Sequence, residues 1–102
     1  MSMYRIHVGR ISEARKRNWY MKDDNPYAVI EGKVIDEGSC TIDGIHACMK
    51  HLRDEIQIDW GSWAYKGNRQ EIEALYRDLR WRCEVPDDII PGEDYAVVFI
   101  ES

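Results

Sequence analysis

Tyr95-Ala96-Val97-Val98-Phe99-Ile100 is apolar on both side-chain parities. In an extended chain Tyr95, Val97 and Phe99 share one face and Ala96, Val98 and Ile100 the other, so as a strand neither face can meet water. The run is short for a helix, and its β-branched and aromatic content favours extension. It predicts a central strand covered on both sides.

Working back from that strand, residues 84–94 hold Glu84, Asp87, Asp88, Glu93 and Asp94 and no base, broken by Pro86, Pro91 and Gly92. This composition predicts a loop that concentrates negative charge. Asn68 followed by Glu71 has the form of a capping box, and Ile72, Leu75, Tyr76, Leu79 and Cys83 then recur at helical spacing. Upstream, Ile56, Ile58 and Trp60 alternate, Gly61 and Ser62 follow, and Trp63 and Tyr65 alternate again. Glycine at the first of two loop positions predicts a tight hairpin whose turn is flanked by Trp60 and Trp63.

The first half of the chain supplies the remaining elements. With Thr41 or Asp43 as N-cap, the stripe Ile45, Cys48, Met49, Leu52 and Ile56 predicts an amphipathic helix running to about Ile56. Residues 27–35 predict a strand in which Gly32 marks a bulge or a close backbone approach. Residues 4–8 alternate as a strand with one buried face, and Ser12 caps either a polar surface helix or an extended basic loop. These pieces sum to a single α+β domain, a mostly antiparallel sheet of four to five strands with two amphipathic helices on one face.

With 102 residues, 44% hydrophobic and 32% charged, the chain has the size and composition of one folded domain. The net charge of −5 is unevenly distributed. Residues 1–22 set Arg5, Arg10, Arg15, Lys16, Arg17 and Lys22 against Glu13, which leaves the rest of the chain strongly acidic. An acidic majority opposes nucleic-acid binding as the main activity, since phosphate contacts require a positive surface. Arg15, Lys16 and Arg17 beside Trp19 and Tyr20 form the stretch that a nucleic-acid reading would use.

Cys40, Cys48 and Cys83 are odd in number and lack a framework spacing, so a reducing, cytoplasmic setting is expected. Neither a secretory leader nor a membrane-spanning run is legible. Cys40, His46, Cys48 and His51 have the residue types of a zinc site without a Cys-x-x-Cys or His-x-x-x-His pair, and no metal or cofactor is expected. A cysteine with a histidine is the minimum for a small thiol enzyme, but no phosphate loop, nucleophile elbow or metalloprotease motif accompanies it. The sequence therefore fits a protein that binds and inhibits a basic protein partner such as a nuclease, in the manner of immunity proteins or phage inhibitors. Asp87, Asp88, Glu93 and Asp94 would steer, and Trp60 and Trp63 would anchor.

Residues 28–35, the helix after Ser39, and residues 65–79 with Gly67, Glu73, Ala74, Leu75 and Tyr76 are similar in order to the first strand and helices of barstar-type ribonuclease inhibitors. The resemblance covers at most about half the chain. The extra N-terminal strand, the lack of room for the later helix, and Arg77, where that family favours an acid on the inhibitory helix, depart from its pattern.

Overall fold

The computed structural model describes residues 3–22, 25–83 and 94–101. Among them five strands form one antiparallel sheet: β1 (Met3–Ile11), β2 (Ile30–Thr41), β3 (Arg53–Asp59), β4 (Ser62–Gly67) and β5 (Tyr95–Glu101). Their order is β2-β1-β5-β4-β3, so the doubly apolar run occupies the centre. Tyr4 pairs with Glu101 and Val8 with Val97 on one side of β5, while Ala64 pairs with Val98 on the other. Residues 95–100 are all buried.

Three short helices complete the domain: α1 (Glu13–Arg17), α2 (Ile42–Cys48) and α3 (Arg69–Arg82). Helices α2 and α3 pack on one sheet face, where Ile45, Cys48, Ile72, Leu75, Tyr76 and Leu79 meet Tyr4, Ile6, Tyr65, Val97 and Phe99. The opposite face buries Ile58, Ala64, Ala96, Val98 and Ile100 under Trp19 and Val29, the latter from a 3-10 turn at Pro26–Val29. Both parities of β5 are thus covered, each by a different part of the chain. The architecture is a small α+β domain, and no helix among the described residues is long and apolar enough to cross a membrane.

The predicted capping box is present: Glu71 N donates to Asn68 Oδ1 at 2.9 Å, and Asn68 N to Glu71 Oε1 at 3.2 Å. Thr41 is the N-cap of α2, its hydroxyl accepting from Gly44 N at 3.3 Å. That helix does not reach Ile56. It stops at Cys48, a 3-10 turn covers Met49–His51, and β3 begins at Arg53. Ile45, Cys48 and Leu52 enter the helix-side core as their spacing requires, but Ile56 packs with Ile58 on the opposite face. The period-two pair Ile56/Ile58 outweighs continuation of the period-3.6 stripe.

Two glycines in the first half of the sheet have separate causes. A Cβ on Gly9 would occupy the space of the Ile30 side chain, so β1 can pass β2 closely there only without one. Gly32 has a φ of +74° with open space around it, and the β1–β2 register slips between Val8 and Arg10 opposite this part of β2. Of the two readings for Gly32, bulge and close approach, the bulge is the one found.

Replacing Asn68 by Ala is expected to cost about 1 kcal/mol in urea unfolding. Glu71→Ala should then add a further loss on the Asn68→Ala background, because its carboxylate accepts from the backbone amide of residue 68, which that substitution leaves in place. A Glu71→Ala variant as stable as the parent on either background would contradict the reciprocal cap.

Candidate functional site

The β3–β4 hairpin turns through Trp60 and Gly61, with Asp59 paired to Ser62. This is one residue earlier than the sequence pattern implies. Gly61 N donates to Asp59 Oδ1 at 3.0 Å, so an aspartate at the strand end fixes the turn position. The slip separates the two indoles. Trp60 sits on the turn itself and is 92% exposed. Trp63 is half-buried, its ring tilted against Tyr4 at a centroid distance of 5.6 Å.

Trp63 also walls a groove of about 380 Å³ with Tyr4, Ile42, Ile45, Met49 and Glu55. Tyr65 donates its hydroxyl to Glu55 Oε2 at 2.7 Å, and burial followed by this bond pushes the phenol well above its ordinary range. The groove therefore has apolar walls with a carboxylate at its rim. Trp81, near the C-terminal end of α3, is 85% exposed and was not singled out by the sequence pattern, because it lies off the apolar stripe that defines the helix. Tyr20 and Tyr27 are exposed as well.

Of the expected acidic residues, Asp87, Asp88 and Glu93 lie outside the described residues. Asp94 is exposed and lines an open cleft of about 510 Å³ with Arg15, Lys16, Trp19, Asp54 and Lys66. The cleft is organised by Asp54, whose φ of +53° places a non-glycine residue in the left-handed region. The Asp54 carbonyl accepts from Trp19 Nε1 at 2.6 Å, and its carboxylate accepts from the Tyr20 hydroxyl at 3.0 Å. Lys66 Nζ lies 3.6 Å from Asp54 Oδ2 and 5.6 Å from the centre of the Trp19 ring. These contacts clasp residues 19 and 20 to the β3–β4 pair.

The same clasp corrects the reading of the basic stretch as a solvated surface. Arg15 is only 2% exposed, and its Nη1 donates to the carbonyls of Trp19 at 2.9 Å and Met21 at 2.8 Å. A guanidinium here supplies donors to two backbone oxygens. Lys16 lies 3.6 Å from Glu13. The N-terminal segment thus spends its central cation on its own backbone, which weakens a nucleic-acid surface built on Arg15, Lys16 and Arg17.

The thiols are also placed differently from the expectation of three reduced cysteines. Cys40, at the end of β2, and Cys83, which caps α3, form a disulfide with a Cα separation of 4.6 Å. Linking positions 43 residues apart contributes about 4 kcal/mol on a chain-entropy estimate. Cys48 is free and fully buried, and burial, with Asp78 nearby, pushes its thiol up rather than toward the thiolate. His51 Nε2 and Asp78 Oδ2 are 2.5 Å apart, a bond that holds the Asp78 carboxyl below its ordinary value. The Cys48, His51 and Asp78 residue types are those of a thiol-enzyme triad, but the sulfur is closed off and poorly ionised, and Cys40 is already bonded. Among the described residues no cluster of three His, Cys, Asp or Glu side chains is arranged to hold a metal ion.

No protein-family model, curated protein or solved structure matches the chain. The order-level similarity to barstar-type inhibitors therefore carries no argument beyond the residues quoted for it.

Arg15→Met should destabilise the domain by about 1–3 kcal/mol in urea unfolding, whereas the neighbouring exposed Arg17→Met should change it by less than about 0.5 kcal/mol. Equal effects would return Arg15 to the surface. For the cysteines, iodoacetamide is expected to label none in the native protein, one after unfolding without reductant, and all three after unfolding with reductant. Rapid native labelling of Cys48 would reopen the thiol-enzyme reading.

Proposed function

We propose that the protein acts by stoichiometric binding and inhibition of a basic protein partner, of which a nuclease is an example. The observation that carries this reading is Trp60, an indole 92% exposed on a two-residue turn. A large apolar ring held in water by a rigid hairpin costs solvation and gains nothing from the domain's own core. Tryptophan in such a setting is the residue type most enriched at binding hot spots. The groove walled by Trp63 and Tyr4 offers a complementary recess for an apolar side chain of the partner.

The net charge of −5 supplies the second half of the reading. Burial of Arg15 keeps one of the N-terminal bases from direct contact with a partner. Asp87, Asp88, Glu93 and Asp94 are the proposed steering charges, which accelerate encounter with a cationic surface more than they tighten the final complex. A cytoplasmic location belongs to the same proposal and requires that the Cys40–Cys83 bond be transient or protected there.

The test is capture of a partner from the native host by the immobilised chain, followed by binding kinetics with the purified pair. Trp60→Ala is expected to weaken the complex by about 30-fold, equivalent to about 2 kcal/mol. Neutralising Asp87, Asp88, Glu93 and Asp94 together should slow association at low salt and have little effect at high salt. Binding that is indifferent to both sets of changes would overturn the proposal.

A further inference from the structure

On the helix side of the sheet, Tyr4 of β1, Trp63 of β4, Ile42 and Ile45 of α2 and Met49 of the turn that follows enclose the groove of about 380 Å³. That volume lies at the small end of the range for ligand pockets, about 300–1,000 Å³. Its hydrocarbon and aromatic walls are interrupted by two side chains that can carry charge, Glu55 and His46, and both are exposed. Glu55 is tethered, its Oε2 accepting from the Tyr65 hydroxyl at 2.7 Å. A carboxylate has about four acceptor positions, so the bond to Tyr65 leaves others for a second donor. Glu101, directly opposite Tyr4 in the β1–β5 ladder, is a further exposed acid on this face. No lysine or arginine is among the described residues that wall the groove.

We propose that the groove receives an arginine side chain of the protein partner, its methylene stem along Ile42, Met49 and Trp63 and its guanidinium on Glu55. This rests on the reading above of a basic partner and names the side chain that fills the recess. A purely hydrocarbon chain would suit the walls but would strip water from Glu55 and return no donor, a cost that a cationic head avoids. The stem supplies the apolar part that the walls ask for, and the head answers the carboxylate. Arginine suits these walls better than lysine. Its guanidinium is planar, weakly hydrated and able to lie against an aromatic ring such as Trp63, whereas an ammonium is compact and strongly hydrated. It also carries five donors, so Glu55 can be bonded while the remaining donors stay in water at the open side of the groove. Glu55 and Glu101, within a chain of net charge −5, favour a cation over an anion here.

The probe is Nα-acetyl-arginine methylamide, titrated into the full chain labelled with ¹⁵N and ¹³C. It is expected to give a saturable shift, on the order of millimolar, of the Trp63 indole N–H together with the methyls of Ile42 and Met49. The citrulline counterpart, which keeps the stem and the planar head but not the charge, should bind at least about tenfold more weakly, as loss of a charge-assisted hydrogen bond requires. Glu55→Gln should bring arginine down to the citrulline level with the amide spectrum otherwise native, and His46→Gln should not weaken binding. Citrulline or norleucine bound as tightly as arginine, indifference to Glu55→Gln, or loss on His46→Gln, which would point to an anionic occupant, would each overturn the assignment. These titrations contain no partner, so their failure leaves the Trp60 reading to its own capture test. In a captured pair, Glu55→Gln should likewise weaken the complex about tenfold, and a complex that needs Trp60 but is indifferent to Glu55→Gln would overturn this inference alone.

Discussion

The structure depends on burying both faces of β5. A strand apolar on one parity needs one layer of cover; β5 is apolar on two and must be roofed twice. Helices α2 and α3 provide the first roof, with Ile72, Leu75, Tyr76 and Leu79 set down on Val97 and Phe99. The second roof is irregular, made from Trp19, Val29 and the inward side chains of β3 and β4. This asymmetry has functional weight. The helix face keeps the groove beside Trp63, whereas the improvised cover on the other leaves the space beside His7 and the cleft around Asp54.

The excursion between β1 and β2 shows how much chemistry that improvised cover demands. A short helix, a buried arginine, an indole hydrogen-bonded to a strand carbonyl and a left-handed aspartate are all engaged in holding Trp19 over the sheet. A single nitrogen of the Arg15 guanidinium, Nη1, serves the carbonyls of both Trp19 and Met21. The Trp19–Lys66–Asp54 group then ties the excursion to the far half of the sheet. A charge pattern that looks like a surface feature in the sequence is, in part, internal scaffolding.

What could be read in advance follows from how local each signal is. The central strand, the α3 stripe and the Asn68/Glu71 cap are encoded within a few residues, and each is found where its pattern places it. The extent of α2 was misleading because Ile56 satisfies two periodicities at once, and only the sheet partner decides between them. The turn position at Trp60-Gly61 was displaced by the Asp59 side chain, which a pattern of alternating apolar residues does not register. The joining of Cys40 to Cys83 and the isolation of His7 are products of tertiary approach across long separations, and Arg15 is buried by the local fold of residues 15–21 against the sheet. His7 carried one faint mark: it occupies the polar parity of a strand whose neighbour, β5, has no polar parity.

The pairing of β1 with β5 sets a kinetic condition on the molecule. Tyr4 must find Glu101 before the middle of the sheet exists, while the β3–β4 hairpin and α3 close on themselves over short distances. Loop closure of that length costs entropy before any contact rewards it, which places the domain among the slower folders for its size. Until the search succeeds, β5 is a bare apolar ribbon with two sticky sides, and the window of vulnerability to self-association lasts as long as that search.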